Sequence, residues 1–204
     1  KTGSRNWAEA PRAVDAFDAK AHALAALAAA GAPVSNLQVT TDAPDFYHPG
    51  RSGVLRLGPK NVLARFGEIH PGVLRKLGVK NAMVGFEVFL DAIPQPKAKK
   101  SAAKPHLTLS QFQPVERDFA FVVDVDTEAG KVVRAAMSAD KSLITAVNVF
   151  DVFVGGSLGE GKKSLAVNVT LQPVDKTLTD ADIDNVAQSI VASVEKATGG
   201  TLRG

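Results

Sequence analysis

The chain has 204 residues, 45% of them hydrophobic and 22% charged, a composition that packs one large or two small soluble domains. No run approaches the roughly 18 apolar residues of a membrane helix, no basic-then-apolar start suggests a signal peptide, and the absence of cysteine excludes disulfides and thiolate metal sites. The net charge of +3 is uneven: residues 1–94 carry 11 Lys+Arg against 8 Asp+Glu, residues 95–106 four lysines and no acids, and residues 107–204 only 9 against 13. Nucleic-acid contact by the last block therefore has to be a local patch, because that block has no general positive field.

In chain order, Val14, Phe17, Ala21, Leu24, Ala25 and Ala28 recur at helical spacing and predict a helix over 13–30, stopped by Gly31-Ala32-Pro33. Short Val-, Leu- and Phe-rich segments at 37–41, 54–57, 62–66 and 84–90 predict strands joined by turns. A short helix is expected over 71–77, with Pro71 in its first turn. Residues 94–106 hold three prolines and four lysines without apolar periodicity, the mark of a semi-extended tether; a lysine arm touching phosphates is the alternative. The expected domains are 1–94, a basic linker over 95–106, and 107–204.

The last block has the clearest pattern. Phe119, Phe121, Val123 and Val125 share one face of a strand over 118–125, and Val132, Val133, Ala136 and Met137 stripe a helix over 128–138. A strand follows at 144–154. Another at 163–171 alternates strictly, with Leu165, Val167, Val169 and Leu171 opposite Ser164, Ala166, Asn168 and Thr170. Thr179 with Asp182 forms a capping-box pair before an apolar stripe of Ile183, Val186, Ala187, Ile190, Val191 and Val194, and Thr201–Arg203 supply a short edge strand. The order βαββαβ is ferredoxin-like, with two helices on one face of the sheet and the other face open.

The stretch GSLGEGKK at Gly156–Lys163 nearly fits a phosphate loop, but that loop needs a following helix, and a period-two strand follows instead. A Gly-rich hairpin is expected, with Lys162 and Lys163 at its end. His22, His48, His70 and His106 have no metal-ligand spacing; His48 and His70 each precede a proline, as in structured turns. Phe150 and Phe153 flank Asp151 and are read as core, with base stacking by one of them as the alternative. Arg117 is read either as a phosphate contact or as a surface partner of Glu116 or Asp118. No nucleophile–base set can be assembled.

Several stretches resemble the bacterial phenylalanyl-tRNA synthetase β-subunit family: FDAK at Phe17–Lys20, FYHPGRSG at Phe46–Gly53, FGEIHPGVLRKLGV at Phe66–Val79, FEVFLDAI at Phe86–Ile93, PVERDFAFVVD at Pro114–Asp124, FDVFVGGSLGEGKKSLAVNVTLQP at Phe150–Pro173 and TLTDADI at Thr177–Ile183. The chain opens on Lys1 without methionine and is read as a piece of a longer one; GGTLRG looks like the family's C-terminus. The resemblance implies an α+β fold: a partial class II synthetase-like antiparallel module, without the class II ATP-binding signatures, then a ferredoxin-fold anticodon-binding domain. It also implies a cytoplasmic enzyme of two α and two β subunits that joins phenylalanine to its tRNA. The enzyme uses ATP and magnesium, with the active site on α. This segment would be non-catalytic, without cofactor or metal of its own, packing on the α subunit and binding the tRNA.

The candidate RNA-binding residues are Arg117, Phe150, Lys162, Lys163, Ser164, Asn168 and Thr170. The outward positions Ala120, Val122, Ala166 and Asn168 offer no aromatic ring on the two central strands. Recognition is therefore expected through backbone contacts, hydrogen bonds from Ser164, Asn168 or Thr170, and edge cations, with little stacking. A regulatory ferredoxin-like domain that binds a small molecule is the competing reading.

Overall fold

The computed structural model describes residues 3, 6–8, 10–95, 106, 109–156 and 158–203. Most of the basic tether expected over 95–106 lies outside them. The chain divides into two compact units, Lys1–Ala102 and Ala103–Gly204.

In the first unit, helix α1 (Ala16–Ala29) starts at Asp15, whose carboxylate accepts from the N–H groups of Phe17 and Asp18; Asp18 closes the reciprocal half of the capping box. Arg12 pairs with Asp18 at 2.6 Å. The buried face is Ala19, Ala23 and Leu27, not the expected Phe17–Ala21–Ala28 stripe, and Phe17 is exposed. The helix is so rich in alanine that its sequence barely distinguishes one face from another, and packing against the sheet decides. That sheet is an antiparallel meander of β1 (Gln38–Thr40), β2 (Tyr47–Leu57), β3 (Asn61–Ile69) and β4 (Val84–Val88), in that spatial order. Leu55, Leu63, Ala64 and Phe66 pack with α1. Strand β2 begins seven residues earlier than its apolar run suggested, because a register irregularity between Tyr47 and Ser52 accommodates Pro49 and Gly50. Helix α2 (Pro71–Lys76) carries Pro71 at its start, and His70 Nδ1 accepts from the Gly72 N–H at 3.0 Å. His48 Nδ1 does the same for Gly50 at 3.2 Å. Both histidines thus organise turns.

The second unit contains β5 (Val115–Asp124), α3 (Ala129–Ala139), β6 (Ile144–Val154), β7 (Lys162–Leu171), α4 (Asp180–Thr198) and β8 (Thr201–Leu202). The strands lie in the order β6-β7-β5-β8, all neighbours antiparallel. Phe119, Phe121 and Val123 meet Leu165, Val167, Val169 and Leu171 in one core with Val132, Ala136, Ile190 and Val194 of the helices. The alternation of β5 and β7 therefore reads correctly at every core position but one. Val125 lies beyond the end of β5 and is exposed, its N–H donating to the Gly161 carbonyl at 2.8 Å.

The entry to α4 is electrostatic. Thr179 Oγ1 accepts from the Asp182 N–H at 3.2 Å, Asp182 accepts from the Thr179 N–H at 3.0 Å, and Lys176 Nζ lies 2.8 Å from Asp182. The Lys176 ammonium, then the Thr179 donors, hold the Asp182 carboxyl down to about 2. A carboxylate with a depressed folded-state pKa stabilises the fold above its unfolded value and loses that contribution as pH falls towards 2. In thermal melts, Asp182→Asn is expected to melt below the parent at neutral pH and to converge with it between about pH 4 and pH 2. Thr179→Ala should cost about 1 kcal/mol.

Candidate nucleic-acid interface

Both helices cover one face of the second sheet, which leaves the other to solvent. Its floor is set by residues in the opposite alternation phase to the core: Ala120, Val122 and Asp124 on β5, and Lys162, Ser164, Ala166, Asn168 and Thr170 on β7. Strand β6 reaches this face by a different route. Val147 packs on the core opposite Val169. Without interruption, Phe153, six residues on, would point the same way. A register shift between Val149 and Asp151 leaves Phe150 as an extra residue, so Asp151 sits opposite Ala166 and Phe153 opposite Ser164. The bulge inverts the phase of the strand. Phe150 is 58% exposed and Phe153 44%, so the core reading of these rings is overturned. The expectation of little stacking rested on β5 and β7 alone; the aromatic ring comes from the outer strand.

The seven candidate residues do not form one patch. Lys162 is on the open face, its ammonium 2.6 Å from the Asp124 carboxylate. Lys163 and Arg117 occupy the core-side phase, opposite Val123 and Val169. The register puts them six residues apart along β5, roughly 20 Å. Arg117 Nη1 donates to the Glu116 carbonyl at 3.2 Å. Ser164 is only 4% exposed. Flanked by Val122 and Phe153, it belongs to the floor, which corrects its expected place as an outward donor. Asn168 and Thr170 are half-buried, and the Asn168 amide donates to Asp118 at 2.8 Å.

Sequence reading missed Arg203. Its N–H donates to the Ala120 carbonyl at 2.7 Å, which carries the β5–β8 pairing one residue past Leu202. Its guanidinium carbon lies 5.9 Å from the centre of the Phe153 ring. The fold topology held the signal: in this strand order the last strand lies beside the first, and residue 203 falls in line with the outward-phase Ala120.

The strand after Gly161 excludes a phosphate loop. Among the described residues there is no group of three or more His, Cys, Asp or Glu side chains that could hold a metal ion. Among the described residues no helix is long and apolar enough to cross a membrane. A cleft of about 410 Å³ near the start of α4 is lined by Asp140, Gln172, Lys176 and Asp182. The polar atoms of these four already bond one another, Ser142 or Phe112.

Fold and site together define an α+β protein whose second unit is a ferredoxin-like domain with an open, aromatic-bearing sheet face. Residues 110–203 match the ferredoxin-fold anticodon binding domain, and residues 1–90 match the phenylalanyl tRNA synthetase beta chain CLM domain. The chain belongs to the phenylalanine–tRNA ligase β-subunit family. It is 60% identical over 200 residues to the phenylalanine–tRNA ligase beta subunit of Brucella abortus (strain 2308), an alignment covering 98% of this chain and 25% of that one. The Mesorhizobium japonicum subunit is 58% identical over the same shares. The Rhodospirillum rubrum subunit is 55% identical over 203 residues, 100% of this chain and 25% of its own. The chain thus spans about a quarter of the length of the curated relatives it matches.

Proposed function

We propose that this chain is the tRNA-gripping and assembly portion of a cytoplasmic phenylalanine–tRNA ligase. Residues 107–204 bind the anticodon end of the phenylalanine tRNA. Residues 1–94 form a non-catalytic class II-like module that packs on the α subunit, and the basic segment 95–106 joins the two. The ligase is an assembly of two α and two β subunits that charges tRNA with phenylalanine at the expense of ATP, with magnesium and nucleotide held outside this chain. The segment alone is inactive.

The observation that carries the RNA reading is the solvent-facing Phe153 on a sheet face whose two central strands carry no aromatic ring. Single-stranded bases stack on such rings, and stacking tolerates a domain without bulk positive charge. Of the sequence candidates, Lys162 at the rim and Asn168 and Thr170 on the floor keep their proposed roles. Phe150 extends the aromatic edge, and Arg117 and Lys163 are left to distant phosphates. The small-molecule alternative gains nothing from the family assignment.

The test is aminoacylation by the assembled ligase, with cognate tRNA and with tRNA whose anticodon bases are replaced. The parent is expected to discriminate at least tenfold in kcat/KM, and a ligase lacking residues 107–204 should lose that discrimination. Charging untouched by the deletion would falsify the anticodon role.

A further inference from the structure

Strand β6 is an edge of the second sheet, paired with β7 on one side only. It runs for 11 residues, and no proline interrupts it. Every residue from Asn148 to Val154 is exposed, among them Val149, Phe150, Val152, Phe153 and Val154. The opposite edge is different: β8 has 2 residues, too few to hold another strand. A long apolar edge such as β6 is a template on which a further chain can pair its backbone. The strand carries one charge along its whole length, at Asp151.

We propose that Asp151 guards this edge, and that without its charge β6 pairs with the β6 of a second copy of the chain. Aspartate is disfavoured in strands, so local preference does not account for a carboxylate between valines and phenylalanines. Among the described residues it has no cationic partner, and it accepts from the Val152 N–H at 2.9 Å. That bond holds the carboxylate beside the backbone, where an incoming strand has to strip its water. Two copies meeting edge to edge and antiparallel bring both aspartates into one interface. Centred on residue 151, they stand directly opposite, their Cβ atoms about 5 Å apart, where like charges repel. A centre shifted by up to one residue sets each carboxylate against valine or phenylalanine instead, unpaired and out of water. A parallel in-register stack repeats the carboxylate about every 4.8 Å. The bulge at Phe150, immediately before the aspartate, adds local twist and shortens the straight run on either side. Together they leave the outer strand open to solvent without a second copy joining it.

The experiment measures self-association of the assembled ligase by sedimentation velocity over a wide range of concentration. Asp151→Asn and Asp151→Val are expected to associate at concentrations lower than the parent's by roughly tenfold or more, since no unpaired charge is then buried. Asp151→Lys should sediment like the parent, because a charge of either sign blocks the edge. Asp184→Asn removes the same charge from an exposed position on α4 and should also match the parent. Adding Val152→Lys to Asp151→Val puts a charge back on the exposed edge and should restore the parent's behaviour, which a misfolded domain would not do. The guard is wrong if either neutral variant at Asp151 sediments like the parent, or if Asp151→Lys associates as they do. It is equally wrong if Asp184→Asn associates as strongly, or if Val152→Lys fails to rescue Asp151→Val.

Discussion

Phe153→Ala in the assembled ligase is expected to lower kcat/KM for charging cognate tRNA by roughly ten- to a hundredfold, with little change in KM for phenylalanine or ATP. Removing an aromatic platform costs about 1–3 kcal/mol per stacked base, and each 1.4 kcal/mol is about tenfold. The loss should appear in the tRNA terms alone, because the ring lies on the open face, outside the core of the unit. Exposure also protects the fold, so a melting temperature near the parent's is expected. Phe153→Tyr should retain most activity, since a phenol stacks as well as a phenyl ring. Phe150→Ala should cost less, its ring standing at the bulge rather than over the floor. Steady-state kinetics with varied tRNA, together with anisotropy of a labelled stem-loop, would measure both quantities. A Phe153→Ala ligase that charges normally would remove the aromatic face from the reading.

The second unit was largely legible because β5 and β7 are central strands with one face buried, so their side-chain period is imposed by the core. Leu165, Val167, Val169 and Leu171 could hardly be placed otherwise. Strand β6 was not legible. It is an edge strand reading VNVFDVFV at residues 147–154, apolar in both phases, and its one extra residue at Phe150 decides where Phe153 points. A bulge leaves no periodic trace when both phases carry valine and phenylalanine. The site inherited that gap. The candidates drawn from the strictly alternating strand include Ser164, which turned out to be floor, whereas the ring and the arginine that project from the face lie on the two outer strands. Cations were misjudged for a related reason. Arg117 and Lys163 are positive and near strand ends, which suggested a rim, but their phase puts them on the helix side. In the first unit, α1 shows the same limit: alanine on nearly every face leaves Phe17 as the conspicuous residue, and the sheet accepts the alanines because small side chains allow close approach.

The first unit depends on a single glycine more than its sequence suggests, and Gly67→Ala is expected to destabilise that unit by about 3 kcal/mol. Gly67 lies in β3 opposite Ser52, next to the irregularity that lets β2 carry Pro49 and Gly50. Its φ is +151°, which side-chain-bearing residues rarely adopt, and an added Cβ would stand 2.5 Å from Ser52 Cβ, 2.6 Å from Ser52 Cα and 2.7 Å from the Arg51 carbonyl oxygen. Two of these are backbone atoms, so no rotamer change relieves the clash and the strands have to separate. The Arg51–Glu68 pair at 2.9 Å and the buried Phe66 flank the site and would move with it. For a unit of about 100 residues, each kcal/mol shifts the midpoint by about 4–8 °C, so a fall of about 15 °C is expected for the corresponding calorimetric transition. Gly58 supplies the control. Its φ is +73° but an added Cβ meets nothing within 4 Å, so Gly58→Asn, a residue that tolerates this region, should change the midpoint by a few degrees at most. Equal, small effects at the two positions would mean that β2 and β3 do not meet at Ser52 and Gly67 in the register described.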